Sequence, residues 1–171
     1  MKKFLFCTFL CFGVAFTMTS CKQNNDKPPY QLNIPKKPSI SISYEEMGGV
    51  KVIPVKLNGV TMNMIYDTGC SGIHLSLNEL QTLYKNGKFS QEDVLGVEYS
   101  SIADGSIVEN GSINIKEIKI GDGDDCIVLH DKTATVAPNQ IAPILLGNEV
   151  LDELASVEVD NVNKKINFYK K

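Results

Sequence analysis

From Val50 onward the apolar residues fall in short, mostly alternating runs, and glycine beside Asn or Asp cuts those runs apart. Alternation with period two sends successive side chains to opposite faces, so each run suits a half-buried strand. Val50, Val52, Val55 and Leu57 make one such run, with Pro54 marking an edge position or a bulge. Asn58-Gly59 then predicts a tight hairpin into residues 61–66, because the central residues of that turn need positive φ. Further strands are expected over residues 97–103, 106–108, 113–120, 126–137 and 165–169, with turns at Asp104-Gly105, Asn110-Gly111 and residues 121–124. Ser76 and Glu79 form a capping-box pattern, Leu77, Leu80 and Leu83-Tyr84 a helical stripe, and Gly87 a stop. A second short helix is expected within residues 148–154. Many short strands with one or two helices specify a mainly β domain, a small barrel or a sandwich.

The N-terminus has a different character. Lys2 and Lys3 precede an apolar-rich run over residues 4–16. As a helix that run is about 20 Å long, short of the ~30 Å hydrocarbon core, so it reads as a secretory signal. It ends in Met18-Thr19-Ser20-Cys21, which resembles a bacterial lipobox. That resemblance implies removal of residues 1–20, acylation of Cys21 and anchoring in a membrane. Residues 21–44 carry Pro28, Pro29, Pro35 and Pro38 among polar residues, a composition that suits a flexible tether. Residues 45–171 remain for one folded domain. The expected location is the cell envelope, facing the periplasm or the cell exterior.

All 17 basic residues are lysine, and the net charge is -3. Without arginine or a basic stripe, recognition of nucleic acid is not expected. Two cysteines beyond Cys21, Cys70 and Cys126, are too few for a disulfide scaffold, and whether they pair is open at this level.

The chemistry centres on Asp67-Thr68-Gly69-Cys70-Ser71-Gly72, which follows the apolar strand end Met64-Ile65-Tyr66. A strand can deliver one carboxylate to a turn, and glycine lets the backbone fold back close behind it. Thr68 and Ser71 supply hydroxyls able to hold the loop and orient the carboxylate. On its own, Asp-Thr-Gly is more often a capped β-turn.

The segment resembles the active-site loop of the retropepsin-like aspartic proteases. Ile102-Ala103-Asp104-Gly105-Ser106 resembles their flap hairpin, and Pro143-Ile144-Leu145-Leu146-Gly147 with the following residues resembles their apolar-apolar-Gly segment and short helix. The likeness spans residues 47–170 in the same order. It implies a small closed β-barrel, with Asp67 as the catalytic carboxylate and Thr68, Gly69 and Ser71 supporting the loop. Ala103, Asp104 and Gly105 would form the flap, and Leu146 and Gly147 would pack beneath the loop. Two features depart from the family pattern: Cys70 stands where alanine is usual, and residues 76–88 form a longer insert than in viral relatives.

Peptide hydrolysis of this type uses two neighbouring carboxylates sharing a proton. The chain has one Asp-Thr-Gly, so the resemblance implies a homodimer, with Asp67 of each protomer in one site. The substrate would be an extended peptide or protein segment held under the flap, with apolar pockets for its side chains. No cofactor or metal is expected. Asp122, Asp124 and Asp125 suit a solvated turn better than a calcium loop, and His74 suits a loop or helix start better than a metal site. Cys70 suits packing better than thiol catalysis. Two alternatives remain at this level: an inactive member of the fold that binds peptides or partner proteins, and a sugar- or ion-binding envelope module.

Overall fold

A computed structural model describes residues 37–171. The signal-like segment, Cys21 and most of the proline-rich stretch lie outside the described residues. Eleven strands and two α-helices follow in order: β1 (Ile40–Ser43), β2 (Glu45–Met47), β3 (Val50–Leu57), β4 (Val60–Tyr66), β5 (Ile73–Leu75), α1 (Leu77–Lys85), β6 (Val94–Ser101), β7 (Ile107–Ile120), β8 (Ile127–Val136), β9 (Leu145–Leu146), α2 (Asn148–Leu151), β10 (Leu154–Asp160) and β11 (Lys165–Lys170). The domain is mainly β, as the sequence patterns require.

The larger sheet runs β2-β3-β4-β9-β5-β8-β7-β6, and β3 also pairs with β7, so the sheet closes on itself from β3 round to β7. Closure leaves β2 and β6 as the edges. A smaller sheet, β1-β11-β10, packs its Ile166 and Phe168 into the same hydrophobic core. Ile53, Leu57, Met64, Leu75, Ile115 and Leu146 are among the fully buried side chains of that core.

Local chemistry explains most elements. Asn58 (φ 48°) and Gly59 (φ 84°) both take positive φ, as a tight β3–β4 hairpin demands. Pro54 is not at an edge: β3 pairs with β4 along residues 52–57. On its other side β2 pairs as far as Val52 and β7 begins at Val55, so Pro54 occupies a gap between ladders. Helix α1 starts at Ser76, whose hydroxyl accepts from Asn78 N–H at 3.1 Å while its own N–H donates to Glu79 at 3.1 Å. Leu83 is buried, but Tyr84 points to solvent and is not part of the stripe.

Three expectations are corrected. Residues 40–43, assigned to the tether by composition, form β1 and pair with β11 through Ile40–Phe168 and Ile42–Ile166. Asn110-Gly111 is not a turn but the middle of the long strand β7. Asn110 is buried and donates to Ser100 Oγ at 3.1 Å, and Gly111 packs against Val136, so tertiary contacts override the turn propensity. The second helix stops at Leu151, and residues 154–160 form the unforeseen strand β10.

One buried charge gives a testable pH effect. Asp93, in a short 3-10 turn (Gln91–Asp93) before β6, is 2% exposed. Its carboxylate meets Lys116 Nζ at 2.8 Å and accepts from Ser90 N–H at 2.8 Å. The hydrogen bond from Lys116 holds the carboxyl below the usual range, burial opposes that, and Ser90 reinforces it. A depressed folded-state pKa contributes stability above the unfolded value, about 3.9, and that stability is lost as pH falls through the folded value. Asp93→Ala is therefore expected to lower Tm by several degrees at pH 7, with the gap to wild type shrinking below about pH 4. Melting curves that keep a constant gap from pH 7 to pH 3 would contradict this assignment.

Candidate active site

Strand β4 ends at Tyr66 and places Asp67 in the lining of a cleft of about 1410 Å³. Several backbone hydrogen bonds fix the loop. Asp67 N–H donates to Leu146 O at 3.1 Å, extending the parallel β4–β9 pairing, and Asp67 Oδ1 accepts from Gly69 N–H at 2.8 Å. Cys70 N–H closes the turn on Asp67 O at 3.3 Å. The start of α2 then holds the outer half. Asn148 N–H donates to Cys70 O at 2.9 Å, Glu149 N–H to Ser71 O at 2.8 Å, and the Asn148 amide to Thr68 O at 2.9 Å.

Gly147 is required by space. Its backbone is extended (φ -104°, ψ -169°), a conformation open to any residue. A Cβ there would run into the carbonyl oxygens of Cys70 and Gly72. The apolar-apolar-Gly segment thus lies directly against the Asp67 loop, with Leu146 fully buried beneath it. Asn148 was not singled out from the sequence; only its position after Leu145-Leu146-Gly147 hinted at a role.

The hydroxyls behave differently from expectation. Thr68 and Ser71 are exposed, and among the described residues neither hydroxyl bonds the Asp67 carboxylate. Backbone N–H groups and Asn148 hold the loop instead. Cys70 donates its thiol to Gly72 O at 3.2 Å. Burial pushes the thiol up, the Gly72 contact works against that, and the Asp67 charge adds to the rise. A thiol kept protonated is a poor nucleophile, which disfavours thiol catalysis. Cys70 and Cys126 are both free thiols in this structure.

The β6–β7 hairpin overhangs the cleft, and Ile102 and Ala103 line it together with Asp67. Its tip is a tight turn: Gly105 (φ 83°) donates to Ile102 O at 2.8 Å, and the Asp104 carboxylate accepts from Ser106 N–H at 2.9 Å. Bonding to Ser106 keeps the Asp104 carboxyl below the usual range, which suits a turn-forming carboxylate rather than a general acid. Asp122, at the β7–β8 turn, pairs with Lys56 at 2.5 Å.

His74 belongs to neither a loop nor a helix start. It sits on β5 and lines the cleft, with Nδ1 2.8 Å from Thr135 Oγ1. The Thr135 hydroxyl donates to Ile73 O at 3.2 Å, so it accepts from His74 Nδ1–H. Burial pushes His74 below the ordinary histidine range.

Residues 53–153 match the model of the family described as "gag-polyprotein putative aspartyl protease", and this match spans more than half of the chain. The chain belongs to this aspartyl protease family. A solved retropepsin-like aspartic protease from Rickettsia conorii has a similar fold, with a TM-score of 0.52 at 20% sequence identity, covering 76% of this chain and 89% of that one. At that identity the likeness concerns the fold alone. No curated protein matches the chain. Within an aspartyl protease domain, the half-buried Asp67, lining a cleft beneath the β6–β7 hairpin, is the natural candidate for the reacting carboxylate. The retropepsin-like fold also accounts for the β4–β9–β5 arrangement, which crosses beneath the loop and holds both of its ends.

Proposed function

We propose that this protein is an aspartic endopeptidase in which Asp67 activates water for attack on a peptide bond. The observation that carries this reading is the fixed Asp67 loop, facing a cleft large enough for an extended peptide and roofed by a hairpin. One carboxylate takes the proton of the attacking water, and a second protonates the departing amine or the carbonyl oxygen. A lone ionised aspartate cannot do both in one step. The sequence holds one Asp-Thr-Gly, so the second carboxylate is Asp67 of another protomer, and the active species is a homodimer.

Specific activity on a peptide library is therefore expected to fall on dilution, in step with dimer dissociation measured by ultracentrifugation. Cleavage that persists undiminished where no dimer is detected would sink the two-protomer mechanism. A second acid would then lie in the chain's own cleft. Asp104 is tied into its turn, so Glu149, which lines the cleft beside Gly72, would be the first to substitute.

The site of action we propose is the cell envelope, with the domain held to a membrane by acylated Cys21. The support is the run of residues 4–16 followed by Met18-Thr19-Ser20-Cys21. Anchoring would also concentrate protomers on one surface and favour their pairing. Cys21→Ala is expected to shift the protein from the membrane to the soluble fraction on cell fractionation. Unchanged membrane association would rule out the lipid anchor.

A further inference from the structure

Within the mostly apolar surface that lines the cleft, one stretch of wall under the flap is polar. Strand register shows how it is built. On the flap, Glu98 pairs with Asn110 and Ser100 with Val108, so these four side chains share one face. Asn110 is only 3% exposed and bonds Ser100, which makes this the inner face. Tyr99 and Glu109 share the opposite, outer face, where the Tyr99 hydroxyl donates to Glu109 at 3.2 Å. The wall continues across the sheet, because Ser112 pairs with Thr135 and Thr135 with His74.

Most of these polar groups satisfy one another: His74 with Thr135, Thr135 with Ile73 O, Asn110 with Ser100. Glu98 is different. Among the described residues its carboxylate has neither an ion-pair partner nor a hydrogen-bond donor. Among the described residues no lysine lines the cleft, while Asp67 and Glu149 add further negative charge.

We propose that Glu98, projecting from the inner face of the flap, selects a substrate bearing a lysine or arginine side chain near the scissile bond. This rests on the protease reading above and names the substrate class for that site. An apolar side chain at this wall would cover the Glu98 carboxylate without offering it a partner, which costs binding energy. A neutral polar side chain would leave the charge of the carboxylate uncompensated. Glu98 is itself exposed, and an ammonium or guanidinium group supplies the missing charge-assisted hydrogen bond. An acidic side chain would be repelled by the carboxylates of Glu98, Asp67 and Glu149.

The test uses the full chain and paired peptides that differ only in lysine or norleucine at one position. Wild type is expected to cleave the lysine peptide with a kcat/KM about tenfold higher or more, and Glu98→Gln to remove most of that ratio. Glu98→Lys is expected to reverse the preference toward a glutamate peptide. Binding is measured separately in an Asp67→Asn background, with the same fluorescently labelled pair. If no peptide is cleaved but the lysine peptide still binds more tightly and Glu98→Gln abolishes the difference, the protease reading fails and the selection by Glu98 stands. Equal cleavage and binding of the pair, a preference unmoved by Glu98→Gln, or no binding of either peptide would overturn it.

Discussion

Replacing Asp67 with asparagine is expected to lower peptide hydrolysis by at least about a thousandfold while leaving the domain folded. The size of the effect follows from chemistry. General acid–base steps contribute roughly 10²–10⁴ each, and Asn can neither take a proton from water nor return one. Retained folding follows from geometry. Gly69 N–H donates to Asp67 Oδ1, and the Asn side-chain oxygen can accept that bond in the same place. The rest of the loop is fixed by main-chain bonds to Leu146 and by Asn148, which the substitution does not touch. In the proposed homodimer two Asp67 carboxylates would repel each other, so the variant dimer is expected to be no weaker than wild type. Adding excess Asp67→Asn protein to wild type is expected to suppress activity further, since mixed dimers hold one carboxylate. An Asp67→Asn protein that cleaves at wild-type rates would remove Asp67 from the mechanism. One that unfolds would instead make it a structural residue.

Gly147→Ala carries the largest expected effect on stability from a single methyl group. The new Cβ would overlap the Cys70 and Gly72 carbonyl oxygens, and Cys70 O already accepts from Asn148 N–H. Backbone atoms locked in this way cannot rotate aside as a side-chain tip would, so either α2 or the Asp67 loop must move. Overpacking of this kind costs about 1–3 kcal/mol, and contact with main chain on two sides places this site at the upper end. For a domain of this size that is a drop in Tm of about 10 °C. A displacement of about 1 Å at the loop would also cost roughly a hundredfold in turnover. Gly111→Ala is the control: its Cβ would meet Val136 at an ordinary 3.7 Å, so melting is expected to stay within a few degrees of wild type. Equal melting temperatures for Gly147→Ala and wild type would mean that the tight approach of Gly147 to the loop is wrong.

Residue order alone made much of this protein legible. Period-two apolar runs and the Asn58-Gly59 turn specify paired strands because each depends only on neighbours in sequence. The capping box at Ser76 is local in the same sense. Asp67-Thr68-Gly69 and Leu145-Leu146-Gly147 stood out as motifs, since each packs several unusual demands into a few residues. Elements that owe their conformation to distant partners could not be read this way. β1 lies in a polar, proline-flanked stretch and becomes a strand only because β11 offers it a ladder and a buried face. The two-residue β9 exists because β4 and β5 flank it. Asn110-Gly111 has the composition of a turn, yet Ser100 and Val136 hold it straight inside β7. The Thr68 and Ser71 hydroxyls looked like the loop's supports, but the close approach of α2 lets Asn148 and main-chain groups take that role. Sequence determined which carboxylate the chain presents and the fold that presents it. Only tertiary structure decided what surrounds that carboxylate, because a cleft wall is assembled from residues far apart in the chain, and their shared face depends on strand register.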